Sequence, residues 1–138
     1  MTDISGKWTY RSFHNDPAPV GDDAEKALRL IFAEAEFTFE ISGTELSGMI
    51  DWGSGGLALK GTIQLATATT PLAVQIVGTG RTNLGTEGWE YDYNAQLAHQ
   101  WPNGINQVPA LVGSVIRAKP HGSAPAGYVA SFIAVKQP

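Results

Sequence analysis

The chain has 138 residues, a formal charge of −4 from nine Lys and Arg against thirteen Asp and Glu, 43% hydrophobic residues and no cysteine. That length suits one domain with a real core, the missing cysteines exclude disulfides, thiolate metal sites and cysteine nucleophiles, and the lack of any Lys/Arg cluster argues against a nucleic-acid partner. Sixteen Gly and eight Pro in so apolar a chain speak against both a helical bundle and disorder, and favour an all-β domain rich in turns.

The start, MTDISGKWTY, has no basic segment followed by an apolar run. Neither a signal peptide nor a membrane anchor is expected there, and the default location is the cytoplasm. The first strand runs from Lys7 to His14, with Trp8 and Tyr10 on one side and Lys7, Thr9 and Arg11 on the other; Asn15-Asp16-Pro17 turns the chain. From Asp22 to Phe32 the pattern is mixed. Asp22 with Glu25 has the form of a capping box, so one or two turns of helix are expected.

From Ala33 the alternation is clear: Ala35, Phe37, Phe39 and Ile41 oppose Glu34, Glu36, Thr38 and Glu40, and the glutamates make that second face solvent. The third strand spans about Glu45 to Trp52, with Leu46, Gly48, Ile50 and Trp52 on one side, before the turn Gly53-Ser54-Gly55-Gly56. The fourth places Leu57, Leu59, Gly61, Ile63 and Leu65 together. The fifth opens at Pro71 and runs to Arg81, with both faces apolar or small. Gly78 to Gly85 superficially resembles a phosphate loop but lacks the Lys-Ser/Thr and a following helix, so it is read as a turn.

The sixth strand, Trp89 to Trp101, puts Trp89, Tyr91, Tyr93, Ala95, Leu97, His99 and Trp101 on one face, and Glu90, Asp92, Asn94, Gln96 and Gln100 on the other. The polar side must be the wet one, which makes Glu90 and Asp92 surface charges, and Trp101 is expected to pack on Pro109. ALVGSVIRAK and GYVASFIAVK supply the seventh and eighth strands. Eight strands with short connections favour closure, because an open meander leaves two unprotected edges. The expected fold is therefore a single antiparallel up-and-down barrel of about eight strands over residues 1–138. An interior of that size is either filled or holds one small ligand, and Gly48, Gly61, Ala95, Gly113 and Ala130 suit tight coiling or space inside.

Gly6-Lys7-Trp8 resembles the G-x-W of the calycins, the group that includes the lipocalins and the avidin-like barrels, and Tyr91-Asp92-Tyr93 loosely echoes that family's Thr-Asp-Tyr triplet. The resemblance implies an eight-stranded barrel with Trp8 plugging one end, an Arg over that Trp for which Arg117 is the candidate, and a small apolar or amphipathic ligand inside. The length is nearer to avidin-like chains, but the polar residues that hold biotin there have no counterparts here, so biotin is not expected.

Two phenols and an imidazole in an apolar interior are the kind of polar tips that orient a ligand. Tyr91, Tyr93 and His99 are thus the candidate ligand-reading groups, and Trp52 at a strand end, Trp89 and Phe39 complete the candidate ligand-binding set. His14, His99 and His121 are too scattered for a metal site, no serine sits in G-x-S-x-G, and no catalytic residue, metal or cofactor is assigned. The expected function is binding of a small apolar or aromatic molecule. The alternatives are a small isomerase, cyclase or hydrolase using Tyr91, Tyr93 and His99 as proton donors and acceptors, and a structural module that forms a homo-oligomer through the Pro71–Gly80 strand.

Overall fold

The computed structural model describes residues 3–138; Met1 and Thr2, included in the single domain expected over 1–138, lie outside the described residues. The strands are β1 (Gly6–His14), β2 (Ile31–Ser42), β3 (Glu45–Asp51), β4 (Gly56–Gln64), β5 (Ala73–Gly80), β6 (Glu90–Leu97), β7 (Ala110–Arg117) and β8 (Val129–Lys136), with one helix, α1 (Ala24–Arg29), between β1 and β2. Each strand pairs antiparallel with the next, and β1 pairs with β8, so the sheet is a closed up-and-down barrel.

Alternation dictates the inside. On β2, Phe37 and Phe39 are buried while Glu34 and Glu40 are exposed. The β1–β2 ladder departs from this regularity near its end. Ser12 pairs with Ala33 but Phe13 pairs with Ile31, so Phe32 is an extra residue in the ladder. Such a bulge re-aims a side chain, and here it turns the Phe32 ring toward the barrel mouth.

The helix is as short as expected, but its cap is Asp23, not Asp22. The Asp23 carboxylate accepts from the backbone N–H of Glu25 and Lys26, at 3.0 and 3.2 Å; Asp22 stands one residue too early to reach them. No residue of α1 is buried, so the helix only spans the β1–β2 connection.

One barrel end is plugged. Trp8 is fully buried, its indole N–H donates to the Ile4 carbonyl at 2.9 Å, and its ring packs on Phe39 at 6.0 Å. Above it Tyr10, Phe37, Tyr93 and Phe132 pack together, most pairs edge to face, with centroids 4.9 to 6.1 Å apart. Each fully buried ring contributes about 1.5–3 kcal/mol by area alone. The interior glycines serve close strand approach rather than space: a β-carbon at Gly48, Gly61 or Gly113 would lie 1.8, 2.4 or 1.9 Å from a carbonyl oxygen of the neighbouring strand.

Several strands are shorter than expected: β5 spans Ala73–Gly80 rather than Pro71–Arg81, β7 ends at Arg117 and β8 begins at Val129. Leu65 lies past the end of β4 and is 43% exposed. β6 stops at Leu97 because its neighbours stop there: β5 begins at Ala73 opposite Gln96, and Ala98 donates its N–H to the Ala110 carbonyl at the start of β7. Residues 99–101 have no strand to pair with, and Trp101 is exposed rather than packed on Pro109. Arg117 is also not where the calycin resemblance puts it. It ends β7, at the opposite end of the barrel from Trp8.

Candidate functional site

The end opposite Trp8 is open. There a cavity of about 480 Å³ is lined by Tyr10, Phe32, Ala33, Glu34, Ile50, Trp52, Trp89, Tyr91, Tyr93, Arg117 and His121. Its floor is the top of the aromatic core, and its rim is built by the four connections that meet at this end.

Two of those connections hold tryptophans. After β3, Asp51 accepts the Gly53 N–H at 2.8 Å and Trp52 donates its N–H to the Gly55 carbonyl at 3.0 Å, which closes the corner; a β-carbon at Gly55 would lie 2.8 Å from the Trp52 Nε1. The glycine lets the chain fold under the indole. After β5, the chain loops through Asn83 and Gly85, both at positive φ, and Thr86 ties the loop down. The buried Thr86 hydroxyl donates to the Gly56 carbonyl at 2.8 Å and accepts the Arg81 N–H at 2.9 Å. Trp89 then donates its N–H to the Thr86 carbonyl at 3.0 Å. The two indoles stand nearly parallel, 17° apart with centroids at 6.1 Å.

The β7–β8 connection brings His121. Its backbone exchanges hydrogen bonds with Ala124 across a tight turn, and its ring stacks on Trp89 at 3.7 Å and 9°. Tyr91 lies between this loop and the barrel wall: its hydroxyl is 2.9 Å from His121 Nε2 and accepts from Arg117 Nε at 2.9 Å. Burial, and then the Arg117 charge, hold the His121 pKa below its ordinary value of 6.5. At neutral pH the imidazole is thus uncharged and Nε2 can accept. The consistent direction is Arg117 donating to Tyr91 and Tyr91 donating to His121.

Arg117 is 8% exposed, and its guanidinium carbon lies 5.8, 5.6 and 5.3 Å from the ring centres of Phe32, Tyr91 and Tyr128. One terminal nitrogen donates to the Pro125 carbonyl at 3.0 Å, so the side chain also holds its own loop. At the floor, burial pushes the phenols of Tyr10 and Tyr93 well above the ordinary tyrosine range, and both stay neutral hydroxyls at any physiological pH.

The structure thus gathers four of the sequence candidates, Tyr91, Tyr93, Trp52 and Trp89, around one cavity. It does not bring the other two there. His99 lies beyond the end of β6, exposed, with its ring edge-on to Trp101 at 4.9 Å. Phe39 is 2% exposed in the core beside Trp8 and Phe37. Sequence reading missed Arg117, His121, Phe32 and Tyr10 as cavity groups. Arg117 had a signal, since it shares the inward parity of Leu111 and Val115. Phe32 had none, because the bulge breaks the parity that would have placed it.

Asp92 is another correction. It faces outward as expected but sits between Val77 and Ile116 in the ladder, and its Oδ1 is fully buried without a partner. Burial, and then the nearby Glu90 charge, raise its pKa. Among the described residues, no group of three or more His, Asp or Glu could hold a metal ion, and no helix is long and apolar enough to cross a membrane. No protein-family model matches the chain, and no curated protein shows significant sequence similarity to it.

Proposed function

We propose that residues 1–138 form a calycin-like binding domain whose open-end cavity holds one small aromatic or apolar molecule. The observation that carries this reading is the cavity itself: about 480 Å³, within the range of small-molecule sites, mostly apolar, with a few polar groups converging on it. Trp52, Trp89 and Phe32 offer ring faces and edges to a ligand, while Tyr91, Tyr93, Arg117 and His121 supply orientation. No bond-making role is needed for any of them. Native mass spectrometry of the freshly purified protein tests it, with displacement followed by quenching of the Trp52 and Trp89 fluorescence. A retained small molecule, lost on replacing Trp89 by Ala, is the expected result; a protein that carries nothing and whose fluorescence no aromatic compound perturbs overturns the reading.

A second reading, self-association, is favoured by the outside of the barrel. Lys7, Arg11, Glu34, Glu36, Glu40, Glu45, Asp51 and Lys60 all stand on β1–β4, whereas β7 and β8 show the exterior only Val112, Ser114, Ile116, Val129, Ser131, Ile133 and Val135 between their ends. An uncharged, β-branched face of this kind is what a homo-oligomer covers. β6, which carries Asn94 and Gln96 on its exterior, stands between this face and the expected Pro71–Gly80 strand, where Val77 is 42% exposed. The same native mass spectrum reports the assembly, and a monomer at all concentrations refutes this second reading.

A further inference from the structure

We propose that the cavity selects an anion, specifically a small aromatic or conjugated carboxylate whose acid group pairs with Arg117. This rests on the reading of the cavity as a ligand site and names the class of ligand that site prefers.

The starting observation is a buried cation without a counter-charge. None of the ion pairs among the described residues includes Arg117. Its two protein acceptors, the Tyr91 hydroxyl and the Pro125 carbonyl, are both neutral. The three surrounding rings offset part of the cost of burying the charge, and a charge-assisted bond to an anion of matching geometry is stronger than the two bonds to neutral acceptors that it now makes.

The free valence points the right way. The second terminal nitrogen of Arg117 has no hydrogen bond to protein among the described residues, and it is not one of the fully enclosed orphan atoms, which are Ser12 Oγ and Asp92 Oδ1. That nitrogen therefore keeps some accessible surface, on a side chain that lines the cavity. Other charges nearby do not cancel it. Glu34, the one carboxylate lining the cavity, is paired with Arg11 at 3.5 Å and is half exposed. Glu90, just beyond the rim, has Lys119 at 3.8 Å. His121 is held neutral by burial and by the Arg117 charge itself. What remains is one positive charge without an anionic partner in a mostly apolar recess, where low-dielectric walls focus its field on whatever enters.

The rest of the cavity sets the other half of the ligand. Rings on three sides favour a flat, polarisable body over a flexible chain. At the floor the Tyr93 hydroxyl makes no hydrogen bond to protein among the described residues and is left to meet a second polar atom of the ligand. A carboxylate at one edge of an aromatic framework, with a polar substituent at the other, satisfies both.

The test compares two probes of one shape, naphthoate and naphthamide, by calorimetric titration of the whole protein. Naphthoate should bind roughly tenfold or more tightly than the neutral amide, as a charge-assisted hydrogen bond in place of a neutral one implies. Arg117→Gln should abolish that preference, so that the two probes bind the variant equally; Arg117→Lys should restore part of it. Equal affinity of the two probes for the unmodified protein overturns the anion proposal and leaves the cavity reading standing, and needs no variant to fold. Binding of neither probe, with the tryptophan emission unmoved, overturns both. A preference for naphthoate that survives Arg117→Gln in a folded variant removes Arg117 as its source.

Discussion

Replacing Thr86 by Val should cost more than any other change of equal size at the mouth. The two side chains have nearly the same shape, so the substitution removes a hydroxyl and little packing. That hydroxyl joins two loops: it donates to the Gly56 carbonyl and accepts the Arg81 N–H. With valine in place, both backbone groups lose their partner, and Gly56 is buried. An orphaned buried polar group costs about 1–3 kcal/mol; Arg81 is half buried and falls at the low end, so the sum is about 2–4 kcal/mol. With an unfolding entropy of about 2.1 cal/mol/K per residue over 138 residues, a loss of about 3 kcal/mol lowers the melting temperature by about 10 °C. Urea denaturation followed by tryptophan emission reads the first figure and calorimetry the second. Thr86→Ser keeps the hydroxyl and should lose about 1 kcal/mol or less. A valine variant within about 0.5 kcal/mol of the parent, or a serine variant that falls as far as valine, would refute the role given to this hydroxyl.

Gly48→Ala should destabilise by more than about 3 kcal/mol, because left-handed backbone strain and overpacking add there: φ is +148° and the new carbon would meet the Thr38 carbonyl oxygen at 1.8 Å. A urea midpoint close to the parent's would mean that the β2–β3 ladder can part without penalty. Stability should also fall with acidity through His121. Its folded pKa lies below the unfolded 6.5, so the unfolded chain binds the proton more readily; the contribution is complete above about pH 6.5 and is lost as pH falls toward the folded value. Melting temperatures measured from neutral to mildly acidic pH should drop more steeply for the parent than for His121→Gln, and parallel slopes would contradict this.

Strand number, turn positions and inward parity were legible because they depend on local pattern. Ala35, Phe37 and Phe39 against Glu34, Glu36 and Glu40 fix which face of the strand turns inward, and Gly53 to Gly56 mark a corner. Where the pattern failed, a neighbour decided. The ring row from Trp89 to Trp101 continues past Leu97 in sequence, but β5 and β7 do not continue beside it, so His99 and Trp101 fall outside the sheet. The extra residue at Phe32 is defined by the pairing of β2 with β1, and nothing in the local sequence announces it. His121 sits in a Pro- and Gly-rich loop that Arg117 ties from its own base and that stacks on Trp89, a contact remote in the chain. Four of the six aromatic side chains lining the cavity, Trp52, Trp89, Tyr91 and Tyr93, were readable from parity; Arg117 carried the same signal, and His121 carried none.

Closure of β1 onto β8 has a consequence for how this protein can meet another. A sheet without edges offers no row of free N–H and C=O groups, so no foreign strand can be templated onto it and no partner can be held by main-chain bonds along its flank. Recognition along the barrel wall must therefore pass through side chains. Contacts of that kind change one residue at a time, and the barrel beneath them need not change at all.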